Sequence, residues 1–225
     1  MRTIKTEGII IKRKNFGEAD RLLTVITPYF GKLTIKATGV RKITSRRSAH
    51  IELLNHSALN LYKGSGMHVL TEVKMIDDHA AIKMDFTKVG LAYHMCELID
   101  GLCPEGQENG NAYYLLKNAL RQIARQVQEE AVSAQVPVQA YLRSEIDDYT
   151  LGTFGLGVKD VPRVAPLIKE ESLAKTLHTF EIALLSELGY WNKEDPLSKN
   201  FDTHTMIESI LERKLKSHNI FTKLQ

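Results

Sequence analysis

Cysteine is almost absent: the 225 residues contain two, Cys96 and Cys103. The surrounding pattern predicts a helix, in which seven positions set the two thiols roughly 10 Å apart along the axis. That is beyond the reach of a disulfide. His94 lies beside them, but one helix cannot turn these three positions onto a single ion, and no fourth ligand is near in the chain. They are read as core residues, and no metal site is expected.

Long apolar runs are missing as well. Nothing approaches the roughly 20 residues that span a bilayer, and the opening MRTIKTEG lacks the apolar stretch of a secretory leader. The expectation is a cytoplasmic protein without a membrane partner. Catalytic signatures fail in the same way: there is no His-Glu-x-x-His, no Gly-x-Ser-x-Gly and no pair of Cys-x-x-Cys motifs. Gly152 and Gly157 have the spacing of a phosphate loop's glycines, but Val158 stands where the lysine belongs and Asp160 where a hydroxyl is needed. Asp147 and Asp148 are neighbours, which on a helix project about 100° apart and make a poor carboxylate dyad. The sequence predicts no enzyme and no cofactor.

What is present is an ordinary globular composition, 43% hydrophobic and 25% charged, distributed unevenly. Residues 1–75 hold 14 Lys and Arg against 5 Asp and Glu, a net of +9, while the remainder holds 16 against 22, a net of −6. A basic module followed by an acidic one points to a polyanionic partner for the first part. The densest positive stretch is Thr38 to His50, where Arg41, Lys42, Arg46 and Arg47 fall within seven positions with no acid among them.

The hydrophobic pattern divides the chain at the same place. Gly8–Arg13, Arg21–Thr27, Lys32–Thr38, His50–Tyr62 and His68–Lys74 alternate or are rich in β-branched residues, and Gly17, Gly31, Gly39 and Gly64–Gly66 mark turns between them. In the third strand Leu33, Ile35 and Ala37 face one way and Thr34, Lys36 and Thr38 the other. Five strands with no room for crossover helices predict a small antiparallel barrel over residues 1–78, of the oligonucleotide-binding (OB-fold) or SH3-like kind. An OB-type barrel holds single strands against cations and stacking rings; Phe16, Tyr29, Phe30 and Tyr62 are the rings available.

From residue 79 to 225 the period is helical. Ile82, Phe86, Val89, Tyr93, Cys96 and Ile99 are expected to form the inner face of a first helix ending near Pro104. Further helices are expected over Tyr114–Val127, Val138–Tyr149, Leu173–Leu188 and Thr205–Leu215, with a loop at Gly152–Pro162. The fold class is therefore α+β, a five-stranded barrel followed by an all-α bundle.

Thr6-Glu-Gly-Ile-Ile-Ile-Lys-Arg13, Phe16-Gly-Glu-Ala-Asp-Arg-Leu-Leu-Thr24, Gly31-Lys-Leu33 and Ala37-Thr-Gly-Val-Arg-Lys42 resemble, in order and spacing, the N-terminal barrel of the RecO family of recombination mediators. Phe180-Glu-Ile-Ala-Leu-Leu-Ser-Glu-Leu-Gly-Tyr190 and Leu215-Lys-Ser217 are similar to that family's bundle helix and closing segment. The resemblance implies an OB-fold barrel and a helical domain in a nucleoid-associated DNA repair and recombination protein. It implies binding of single- and double-stranded DNA without marked sequence preference, and annealing of strands coated by single-strand-binding protein, whose C-terminal tail is contacted. It implies loading of RecA, an indirect partner, together with RecR. Many members carry a four-cysteine zinc site after the Leu-Gly-Tyr helix; Tyr190 to Thr205 has no cysteine here, so that zinc is not expected. Thr38 also stands where the family pattern is often basic, which removes one possible phosphate contact.

The expected DNA footprint is Lys12, Arg13, Lys14, Arg21, Lys32, Lys36, Arg41, Lys42, Arg46 and Arg47, the last four foremost, because guanidinium groups on a loop can follow an irregular phosphate backbone. For the acidic tail, Lys117, Arg121 and Arg125 share one helical face beside Leu116 and Leu120, and are expected to rim an apolar groove. Two alternatives stay open at the level of sequence: an RNA-binding factor, and a scaffold whose basic face meets an acidic protein.

Overall fold

A computed structural model of the chain describes residues 3–64, 66–133, 170–192 and 202–217. The helix expected over Val138–Tyr149, the pair Asp147 and Asp148, and the Gly152–Pro162 loop lie outside the described residues.

Strands β1 (Thr3–Phe16), β2 (Asp20–Thr27), β3 (Gly31–Ala37), β4 (His56–Lys63) and β5 (His68–Asp77) close a barrel in the order β1-β2-β3-β5-β4. All pairings are antiparallel except the short parallel contact of β3 with β5, Ile35 opposite His68 and Lys36 opposite Val69. Closure depends on the length of β1. Its first half pairs with β4 and its second half with β2, and the register shifts between Ile10 and Lys12, where a bulge bends the strand from one neighbour to the other.

The run Ile9-Ile10-Ile11 is buried on both faces of its strand. Ile10 points into the barrel with Leu23, Val25, Ile35, Leu61 and Leu70, whereas Ile9 and Ile11, with Ile26 and Leu54, belong to the core formed with the helices. A strand covered on both sides needs apolar residues in succession rather than alternation. β3 shows the alternating pattern, with Leu33, Ile35 and Ala37 buried and the intervening residues partly exposed.

The first and fourth strands depart most from the sequence expectation. β1 runs on to Phe16, and the fourth strand begins at His56 rather than His50. Residues 49–51 instead form a 3-10 turn that sets Ile51 into the barrel. Leu54 follows in a left-handed conformation, φ +67°, while its N–H donates to the Ile10 carbonyl and the Ile10 N–H to Asn55. Full burial of the Leu54 side chain holds that unfavourable backbone in place.

The helices are α1 (Ala80–Lys83), α2 (Phe86–Leu102), α3 (Gly110–Ser133), α4 (Glu170–Glu187) and α5 (Thr203–Leu211). The Asp85 carboxylate caps α2 by accepting from the Lys88 N–H at 3.0 Å. The inner face expected for α2 is corrected: Phe86 and Tyr93 are exposed, and Leu91, Ala92, Met95 and Leu98 are buried instead. α2 lies between the barrel and the other helices, so burial wraps around it and no single stripe marks an inside. Cys96 and Cys103 are both buried free thiols, pushed by burial up to about 12 and about 11 respectively. His94 sits in the same core between Ser217 Oγ at 2.7 Å and Glu181 Oε1 at 3.1 Å. Among the described residues no group of His, Cys, Asp or Glu is placed to hold a metal ion, and no helix is long and apolar enough to cross a membrane.

Candidate nucleic-acid interface

Strand directions sort the turns of the barrel into two ends. The β1–β2 hairpin and the 38–55 connection lie where β1 and β3 finish; the β2–β3 corner and the β4–β5 turn lie where β1 starts and β4 finishes. The basic segment therefore belongs to the first of these ends.

It is an ordered loop. Gly39, at φ +67°, turns the chain out of β3, and its N–H donates to Asp20 Oδ1 at 2.8 Å. The Arg41 N–H donates to the Ala19 carbonyl at 2.9 Å, and the Arg41 guanidinium to the Gly17 carbonyl at 3.1 Å, so the loop is pinned to the hairpin. Further on, the Ser45 N–H donates to Lys42 and the Ser48 hydroxyl to the Ser45 carbonyl, giving the chain a tight local path.

The ten expected footprint cations fall into distinct groups. Arg41, Lys42 and Arg46 are exposed on the loop, and Lys14 is exposed on the adjoining end of β1. Among the described residues none of these four is in an ion pair. Arg47 is half-buried and spends its donors on the protein: one nitrogen donates to the Leu70 carbonyl at 3.1 Å and the other to Thr38 at 2.7 Å. It fastens the loop to β5.

The strand cations are held by carboxylates. Lys12 pairs with Asp100 at 2.6 Å and Lys32 with the same carboxylate at 3.6 Å, while Lys32 also donates to the Asp100 carbonyl. Arg13 and Arg21 both reach Glu52, Arg21 at 3.3 Å. Lys36 pairs with Asp20 at 3.1 Å and lies 5.2 Å from the centre of the Phe16 ring. The Gly39 N–H, and then Lys36, hold the Asp20 carboxyl below its ordinary value. Of the ten cations expected to meet DNA, those outside an ion pair among the described residues and exposed are thus Arg41, Lys42 and Arg46 on the loop and Lys14 at the tip of β1.

Sequence reasoning passed over Ile43, which stands fully exposed between Lys42 and Thr44 at the tip of the basic loop. Its signal was an apolar residue with no periodic partner.

The second predicted cluster is rearranged more strongly. Leu116 and Leu120 are completely buried in the helical core, so the apolar floor expected beside Lys117, Arg121 and Arg125 is not open there. Lys117 leans onto the barrel, donating to Glu7 Oε1 at 3.2 Å and to the Tyr113 hydroxyl at 3.1 Å. Arg121 and Arg125 remain exposed.

The Lys117 contact belongs to a polar network that no sequence signal announced. The Tyr113 hydroxyl donates to Glu7 Oε1 at 2.8 Å, and His56 Nε2 lies 3.0 Å from that hydroxyl and 3.2 Å from Glu7 Oε2. Burial alone would raise the Glu7 carboxyl, but hydrogen bonds from Tyr113 and Lys117 and the neighbouring His56 hold it below its ordinary value. Burial, then the charge of Lys117, pushes the His56 imidazole down, which favours its neutral form. Burial, then the bond to Glu7, raises the Tyr113 phenol. These four residues join β1 and β4 to α3.

Comparison with known proteins matches two families to the chain. A family described as Recombination protein O N terminal matches residues 1–79, and one described as Recombination protein O C terminal matches residues 84–142. The DNA repair protein RecO of Roseiflexus sp. (strain RS-1) is 41% identical over 120 residues, 53% of this chain and 42% of that protein. Its counterpart in Heliobacterium modesticaldum is 39% identical over 105 residues, 47% of this chain and 38% of the other, and that of Listeria innocua 30% identical over 137 residues, 61% and 52%. The chain spans about half, or less, of the length of these curated relatives.

Proposed function

The chain belongs to the recombination protein O family, and from that premise we propose that it is a recombination mediator of DNA repair. In this reading it binds single- and double-stranded DNA through the loop end of the barrel, anneals complementary strands coated by single-strand-binding protein, and acts with RecR to load RecA. The helical domain is the side that meets proteins, including the tail of single-strand-binding protein.

One observation carries the reading: Arg41, Lys42 and Arg46 stand exposed together on a loop pinned at Gly17 and Ala19, outside any ion pair among the described residues. Cations already held by the protein's own acids offer a phosphate little, whereas solvated ones gain the entropy of the counterions that the nucleic acid releases. Annealing asks for no bond to be made or broken by the protein. Lowering the repulsion between two backbones is enough, and base pairing supplies the free energy.

The test is a strand-annealing assay with complementary strands coated by single-strand-binding protein. Acceleration over the coated strands alone, lost when salt is raised, is the expected result. If annealing is unaffected while RNA of the same sequence displaces the DNA, the RNA-binding alternative takes its place. If no oligonucleotide associates even in dilute buffer, the basic face meets a protein.

A further inference from the structure

At the end of the barrel opposite the basic loop lies a cavity of about 630 Å³, lined in part by Lys5, Tyr29, Phe30, Lys63, His68 and Glu108. Its size falls within the roughly 300–1,000 Å³ usual for small-ligand sites. Two of its rings, Tyr29 and Phe30, stand on the β2–β3 corner. The β2–β3 corner that carries them is closed by the fully buried Thr27, whose hydroxyl donates to the Gly31 carbonyl at 2.9 Å and accepts from the Phe30 N–H at 3.1 Å. Gly31, at φ +60°, lies so close to α3's approach that a Cβ there would fall 1.7 Å from the Gln107 carbonyl oxygen. The corner is thus fixed by its backbone and by Thr27. Tyr29 is nonetheless 66% exposed and Phe30 37%.

The charge around these rings is positive. Lys5 and Lys63 are exposed on neighbouring strands, Lys5 pairing opposite Asn60 and Thr3 opposite Tyr62. Glu108 is the acid among the lining residues. On the far side the loop at Glu105 and Gly106 is tied to β3, through Thr34 N–H to Glu105 at 2.9 Å and Gly106 N–H to the Lys32 carbonyl at 2.8 Å, so the cavity has a fixed wall.

β5 runs from the cavity toward the end of the barrel that carries the basic loop. His68 lines it and pairs with Ile35 in β3, and two residues along β5 the Leu70 carbonyl receives the Arg47 guanidinium. Two residues of strand span about 7 Å, roughly one nucleotide of an extended chain. The rings and Lys63 thus lie at one end of the barrel and the arginine loop at the other, with β5 running between them.

We propose that this cavity is a stacking subsite for an unpaired base, with Tyr29 and Phe30 as the platform and Lys5 and Lys63 against the adjoining phosphates. The inference rests on the nucleic-acid reading above and adds to it a site that favours single strands over duplex, because a paired base must first be unpaired and unstacked to enter it. Stacking on an aromatic face tolerates any base, in keeping with binding that ignores sequence.

The experiment compares two labelled oligonucleotides of equal length and equal phosphate number, one of thymidines and one of sugars without bases, titrated against the full chain at fixed salt. The wild-type protein is expected to bind the thymidine strand about tenfold or more tightly. Tyr29→Ala should remove most of that preference while leaving affinity for the baseless strand unchanged, and Tyr29→Phe should restore it. Equal binding of both strands by the wild type overturns the subsite and leaves the DNA-binding reading intact. So does a Tyr29→Ala variant that keeps the preference, or one that weakens both strands alike. Failure of the wild type to bind either strand overturns both readings together.

Discussion

The barrel presents its positive charge in two settings. On the strands, Lys12, Lys32, Arg13, Arg21 and Lys36 each face a carboxylate within 4 Å, and four of the five look toward acids that arrive from elsewhere in the fold, Asp100 on α2 and Glu52 before β4. On the 38–50 loop, Arg41, Lys42 and Arg46 face solvent. The same residue types therefore do opposite work. The paired ones hold the helical domain and the loops against the barrel, and the solvated ones remain available to a polyanion. Net charge per segment, +9 over residues 1–75, counts both alike and overstates the field that a ligand meets.

The largest effect is expected where that contrast is removed from its exposed side. Replacing Arg41, Lys42 and Arg46 together with glutamine should weaken single-stranded DNA binding on the order of 10²-fold at low salt, and lower the slope of log affinity against log salt by about 2, from roughly 0.7 per phosphate contact. Thermal stability should fall only slightly, since the three side chains are exposed and the bond lost is that of the Arg41 guanidinium to the Gly17 carbonyl, while the Arg41 N–H still holds Ala19. A titration across salt, with a melting curve beside it, reads both. An unchanged slope would take the loop out of the footprint.

The contrast is sharpened next on its buried side. Tyr113→Phe leaves the ring in place but withdraws the hydroxyl shared by Glu7, His56 and Lys117. A buried polar group left without its partner costs about 1–3 kcal/mol. Denaturant unfolding should show a loss of that order, while the DNA affinity of the folded variant stays at the wild-type value. Loss of DNA affinity at full stability would mean that this network reaches the ligand.

The sequence made the barrel legible because the barrel obeys local rules. Alternation in β3 and glycines at Gly17, Gly31 and Gly39 suffice to place strands and turns. It failed where burial is decided by three-dimensional neighbours. α2 hid its orientation because it is surrounded, so Phe86 and Tyr93 fell on the wrong side. The fourth strand looked too long because the β-branched and apolar residues of 50–55 serve a 3-10 turn and a left-handed Leu54. The candidate site was legible as a charged stretch of chain and not as a set of unpaired side chains. The loop could be found by its charge, but nothing local tells that Lys12 is answered by an aspartate 88 positions away or Lys117 by a glutamate 110 positions away. Charge pairing is a property of the closed fold, and a chain read in order cannot separate a phosphate ligand from half of an ion pair.

The smallest expected effect converts one setting into the other. Glu52 holds both Arg13 and Arg21, and its own side chain is 40% exposed, so these pairs are partly solvated and contribute little to stability, about 1 kcal/mol or less. Glu52→Gln keeps the shape and releases two guanidinium groups beside the exposed Lys14 at the finish of β1. If ion pairing is what separates the strand cations from the loop cations, the variant should bind single-stranded DNA severalfold more tightly than the wild type, with a salt slope raised by up to about 1.4, two further contacts at roughly 0.7 each. The direction is the decisive feature, because removing an acid far from any phosphate path changes affinity only through weak long-range terms that salt screens out. An affinity that stays level at both low and moderate salt would show that Arg13 and Arg21 point away from the strand, and would confine the footprint to the loop and Lys14.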